Sequence, residues 1–113
     1  MTPIVRAYGI VRSDLSGDAT DLDVQRLRGL SRRYGFDLRG VRIEHGDADF
    51  GLLLATLEPS RITALIVPTV AHLAGWLDAV RQDASVWTLR PAGCWPRLNV
   101  PGKIADFVPV GLP

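Results

Sequence analysis

Arg12, Ser13, Asp14 and Ser16 fall in one short polar stretch, and His45, His72 and Arg90 recur singly farther along the chain. Each of these residue types can do chemistry. A serine hydroxyl becomes a nucleophile when a neighbouring base takes its proton, and histidine or a carboxylate is the usual base. Arginine grips phosphate or carboxylate oxygens through paired N–H groups. Ser13, Ser16 and Arg12 are therefore the candidates for catalysis. Arg12, Asp14, Ser16, His45, His72 and Arg90 are the candidates for holding an anion. A hydrolytic triad needs a serine, a histidine and an acid to converge, and no Gly-x-Ser-x-Gly elbow marks such a serine. Two histidines and a single cysteine, widely spaced, make no zinc motif. There is no Walker-type glycine-lysine loop and no Gly-x-Gly-x-x-Gly, so neither a metal nor a cofactor is expected. Ser16-Gly17 ahead of a helix offers at most a few backbone amides to a phosphate.

These residues need elements to bring them together. Ile4 to Val11 reads as a strand, and Arg12 to Asp18 as a polar turn. Thr20 is placed as a helix N-cap, with Asp21 and Asp23 in the first turn, where carboxylates complement the helix dipole. Val24, Leu27, Leu30 and Tyr34 recur at helical spacing as the buried stripe, and Gly35 is a natural stop. Phe36 to Ile43 reads as a second strand interrupted at Gly40, and His45-Gly46-Asp47 as a turn. Phe50, Leu53, Leu54 and Leu57 form a short helix closed by Pro59. Ile62 to Val67 is apolar on both faces, as central parallel strands are. Leu73, Trp76, Leu77 and Val80 give the i, i+3, i+4, i+7 pattern of a third amphipathic helix, and Val86 to Leu89 a fourth strand.

The order β-α-β-α-β-α-β predicts an α/β fold: three layers, about four mainly parallel strands, helices on both faces. In such a sheet, ligands bind outside the carboxyl ends of the strands. Those ends carry Arg12, Ser13 and Asp14, then Glu44 and His45, then Thr69 and His72, then Arg90. Residues 1–90 form the expected domain. Residues 91–113, with five of the eight prolines, form an irregular tail that packs on the domain or extends from it. Its Trp95, Ile104, Phe107 and Val108 are too apolar for a simple disordered tail.

The net charge of +1 gives no overall attraction to nucleic acid or membrane. Eight of the twelve arginines nevertheless lie at or before Arg42. On the first helix Arg26, Arg28, Arg32 and Arg33 fall on the arc away from the apolar stripe, as a solvated face or a nucleic-acid stripe. One cysteine permits no internal disulfide, and no secretory or membrane-spanning segment is present, so a cytoplasmic location is expected.

Three short motifs resemble a known family. Tyr8-Gly9-Ile10-Val11-Arg12-Ser13-Asp14, then Leu22-Asp23-Val24-Gln25-Arg26-Leu27, then Tyr34-Gly35 are similar to the opening of the serine recombinase catalytic domain, the resolvase and invertase family. Phe50-Gly51-Leu52-Leu53 resembles the start of its second helix. Leu65-Ile66-Val67 through Leu73 resembles the strand and turn that carry its Asp-Arg-Leu-x-Arg motif. The resemblance implies a serine that attacks a DNA phosphodiester, with arginines stabilising the transferring phosphate. Arg12 matches the arginine two positions before the nucleophile. The nucleophile position falls on Asp14 counted from the strand, or on Ser16 counted back from the helix. The remaining family positions fall on Asp49, Ala71, His72 and Gly75 in place of arginines and an aspartate. The expectation is a degenerate, truncated resolvase-like domain without strand exchange. It would act by binding a protein partner, a second copy of itself or an anionic ligand. A DNA-binding protein of the same family and a phosphate- or nucleotide-binding enzyme are the alternatives.

Overall fold

The fold is that of a computed structural model, which describes residues 4–46, 50–98 and 106–110. Strand β1 (Arg6–Arg12) opens the chain and runs directly into helix α1 (Ser13–Ser16), a 3-10 turn (Gly17–Ala19) and helix α2 (Thr20–Arg33). The expected polar turn is therefore already helical. Thr20 is not a cap: its backbone is helical, and its hydroxyl donates to the Gly17 carbonyl at 2.7 Å. The end of α2 follows the sequence closely. Gly35 sits at φ +68, the Gly35 amide donates to the Arg32 carbonyl, and the Phe36 amide donates to the Ser31 carbonyl. This is a Schellman closure, and its left-handed residue favours glycine.

Strand β2 (Asp37–Glu44) lies parallel to β1, with a register shift between Ala7 and Gly9. Gly40 lies in the shifted stretch, and a Cβ there would stand 3.1 Å from the Tyr8 ring. The glycine read as an interruption thus lets a ring lie against the backbone. Helix α3 (Gly51–Leu57), strand β3 (Ile62–Val67), helix α4 (Leu77–Arg81) and strand β4 (Ser85–Thr88) follow. The third amphipathic helix is corrected. Val70–Leu73 is a 3-10 turn, the chain breaks at Ala74 and Gly75, both at positive φ, and α4 has only five residues. Leu73, Trp76, Leu77 and Val80 nonetheless join one apolar cluster, so the buried stripe stands and its continuous helix does not.

The sheet is also corrected. It has six strands in the order β2-β1-β3-β4-β5-β6 and is mixed. The pairs β1–β2, β1–β3 and β3–β4 are parallel. The tail expected to be irregular supplies strands β5 (Gly93–Trp95) and β6 (Val108–Pro109), both paired antiparallel. Trp95 meets the Phe107 ring at 5.4 Å and lies under the Arg81 guanidinium at 5.3 Å, so the tail aromatics have cover.

Side chains alternate across a strand, and two cores follow. Ile10, Leu65, Val67 and Val86 meet residues of α3 and α4 in one cluster. Ala7, Val11, Ala64 and Ile66 meet Leu27, Val24 and Leu30 of α2 in the other. Helix α2 thus descends beside the sheet with its first turns near the carboxyl ends of the parallel strands. Among the described residues, no helix is long and apolar enough to cross a membrane.

Candidate functional site

The carboxyl ends of β1, β3 and β4 bring Arg12, Asp14, Ser16, His72 and Arg90 into two hydrogen-bonded sets, whose charges both act on His72. One set is centred on Asp23, which is fully buried. Arg90 donates to the Asp23 carboxylate through both terminal nitrogens, at 2.8 and 3.1 Å, and the Ser16 hydroxyl donates to it at 2.6 Å. Arg12 is itself buried and donates to Asp14 through Nε at 3.1 Å and Nη2 at 2.5 Å. The Arg12 backbone amide donates to His72 Nδ1 at 2.9 Å. His45 stands apart, beside β2, with its Nδ1 at 2.7 Å from the Ser13 hydroxyl, which also donates to the Glu44 carbonyl at 3.2 Å. Thr69 only precedes the 3-10 turn that delivers His72. Asp49, where the resemblance places an arginine, lies outside the described residues.

The Arg90 hydrogen bonds hold the Asp23 carboxyl below its ordinary 3.8 against the opposing effect of burial, with Ser16 adding to the lowering. The Arg12 hydrogen bond likewise holds the Asp14 carboxyl below its ordinary value. Among the described residues, Asp14 meets Arg12 and Asp23 meets Arg90. A carboxylate held this firmly ionised is a weak base, and Asp23 is poorly suited to take the Ser16 proton.

His72 is no better placed as a base. Burial lowers its pKa below 6.5; Asp23 opposes, and Arg90 and Arg12 add to the lowering. A donor at Nδ1 requires that nitrogen to be unprotonated, which puts the single proton of the neutral ring on Nε2. The ring therefore accepts from the chain's own backbone and offers only a donor elsewhere. Because its folded pKa lies below the unfolded value, His72 contributes full stability above pH 6.5 and loses it as the pH falls toward the folded pKa. Urea midpoints should drop between pH 7 and 5, and His72→Gln should flatten that slope. An unchanged slope in the variant would assign it to other groups.

Asp23 is expected from its place in the first turn as a helix-dipole partner, and the structure makes it the acceptor for Arg90 and Ser16. A signal was present. Asp23 lies four residues before Leu27 and seven before Leu30, on the apolar stripe itself, where a carboxylate is buried only with a partner. The arginine arc also resolves differently. All four are exposed, and Arg26 and Arg33 also line a pocket of about 390 Å³ between α2 and the β4–β5 turn. Burial pushes the Cys94 thiol up to about 11, which keeps it protonated at neutral pH. Among the described residues, no group of three or more His, Cys, Asp or Glu is placed to hold a metal ion.

Compared with protein-family models, curated proteins and solved structures, the chain matches none of them.

Proposed function

We propose that this chain is a three-layer, resolvase-like domain that has lost strand-exchange chemistry and acts by binding an anionic ligand. One observation carries the reading: Arg12 and Arg90, the cations at the strand ends, are each held by a carboxylate of the chain itself, Asp14 and Asp23. In strand transfer Arg12 would help stabilise a phosphoryl group, and removing one such donor typically costs a factor of about 10²–10³. Asp14 stands where a strand-side count puts the nucleophile, and like charges about 4 Å apart at an effective dielectric near 20 repel by roughly 4 kcal/mol. The scaffold motifs around these positions remain.

Binding is supported by cations that the internal carboxylates do not reach. Arg26 and Arg33 line the pocket beside α2, and no carboxylate is among the described residues that line it. A thermal-shift screen of inorganic phosphate, pyrophosphate, sugar phosphates and nucleotides tests the reading. A ligand at 100 times its dissociation constant adds about 2.7 kcal/mol and raises the midpoint by several degrees. A flat screen at millimolar ligand contradicts it.

A further inference from the structure

The pocket between α2 and the β4–β5 turn has an order along its length. Arg26, Gly29 and Arg33 lie on one face of α2, three, four and seven residues apart. Arg26 and Arg33 are thus about 10 Å apart along the helix axis. The two ends of the pocket differ in their linings.

At the upper end, Arg26 stands one turn after Asp23, and Arg90, which also lines the pocket, is bonded to Asp23. Two guanidiniums therefore share this end with a single carboxylate that is buried behind Arg90. At the lower end the wall is aromatic. Tyr34 and Trp87 meet at 4.9 Å, and Arg33 lies over the Tyr34 ring at 5.9 Å. Trp87 also meets the Phe36 ring edge-on at 5.4 Å, and its indole N–H donates to the Ser85 hydroxyl at 3.1 Å. Gly29 forms the wall between the two ends, and a Cβ there would meet open space.

We infer that this pocket takes a nucleoside monophosphate, its phosphate on Arg26 at the strand-end side of the pocket and its base against Trp87 and Tyr34. The volume of about 390 Å³ lies in the range of about 300–1,000 Å³ typical of small-molecule sites. Arginine meets phosphate oxygens through paired N–H groups, and no carboxylate is among the described residues that line the pocket. A flat base suits a fixed aromatic wall rimmed by arginine, since each base offers a π-face to stacking and to cations. The phosphate end coincides with the carboxyl ends of the parallel strands, where open sheets collect ligands. The inference rests on the anion-binding reading and gives it a ligand class.

The test is calorimetric titration of the full chain with the four ribonucleoside 5′-monophosphates, the matching nucleosides, ribose 5-phosphate and inorganic phosphate. At least one nucleotide should bind about tenfold or more tightly than its nucleoside and than ribose 5-phosphate. Binding should move the Trp87 indole N–H resonance. Gly29→Leu fills the open wall with a better helix former, so the variant should stay folded and lose binding. Arg26→Gln should weaken the phosphate by about tenfold and leave the nucleoside unchanged. Ribose 5-phosphate binding as tightly as every nucleotide would overturn this inference and leave the anion-binding reading standing. Unaltered binding in folded Gly29→Leu would overturn the assignment to this pocket. Absence of binding by any of the anions would overturn both.

Discussion

Arg90→Leu should destabilise the fold far more at neutral pH than at pH 4. Asp23 is fully buried, and its two strongest contacts come from a guanidinium whose own side chain is 47% exposed. Removing Arg90 strands the carboxylate with Ser16 alone. Loss of one member of a buried pair costs roughly 3–5 kcal/mol, and the exposure of Arg90 screens the pair toward the lower end of that range. The reverse change is milder. In Asp23→Asn the guanidinium keeps its water, and the cost should be about 1–2 kcal/mol.

The pH dependence carries the sharper prediction. In the intact protein the folded pKa of Asp23 lies below 3.8, so its contribution is present above that value and is lost as the pH falls through the folded pKa. In Arg90→Leu the main lowering influence is gone and burial, which raises the pKa, remains. The sign inverts: the contribution is then present below 3.8 and is lost as the pH rises through the new folded pKa. Urea unfolding at several pH values should show the gap between the two proteins opening from pH 4 to pH 7. A gap that stays constant would mean that Asp23 is not the stranded charge.

Phe50→Ala should cost about 3–5 kcal/mol, the range for deleting a large aromatic from a core with partial collapse of the cavity. Phe50 is fully buried at the start of α3 and meets the Trp76 ring edge-on at 6.2 Å. It belongs to the cluster that α3 and α4 make with the sheet, away from α2. Chemical denaturation followed by tryptophan emission measures the loss. Anion binding below the melting transition should persist, because the pocket is built from α2 and the β4–β5 turn. A loss under about 1 kcal/mol would show that the site repacks around the missing ring.

Much of this architecture was legible in the residues. Ile62–Val67 is apolar on both faces and became the strand read from it, because a central strand needs no partner information to declare itself. Gly35 marked its stop for a local reason, a left-handed φ. The break at Ala74–Gly75 was not legible, because the apolar spacing of Leu73, Trp76, Leu77 and Val80 suits a bent segment as well as a straight helix. The strands Gly93–Trp95 and Val108–Pro109 were hidden for another reason: two or three residues carry no period, and their pairing partners lie elsewhere in the chain. The strand-end residues were found as types, and most do converge. Their mutual neutralisation was not readable, because which arginine meets which carboxylate depends on the 67-residue separation between Asp23 and Arg90. The split of the α2 arginines into two rows also needed the position of β4.

The claim that this scaffold binds without exchanging strands meets its most direct test on DNA. The protein is incubated with supercoiled and with nicked DNA, and the products are resolved on a denaturing gel. With Asp14 on Arg12 and Asp23 on both Arg90 and Ser16, no covalent protein–DNA band should form. A band that disappears in Ser13→Ala or in Ser16→Ala would show a working nucleophile and contradict the account.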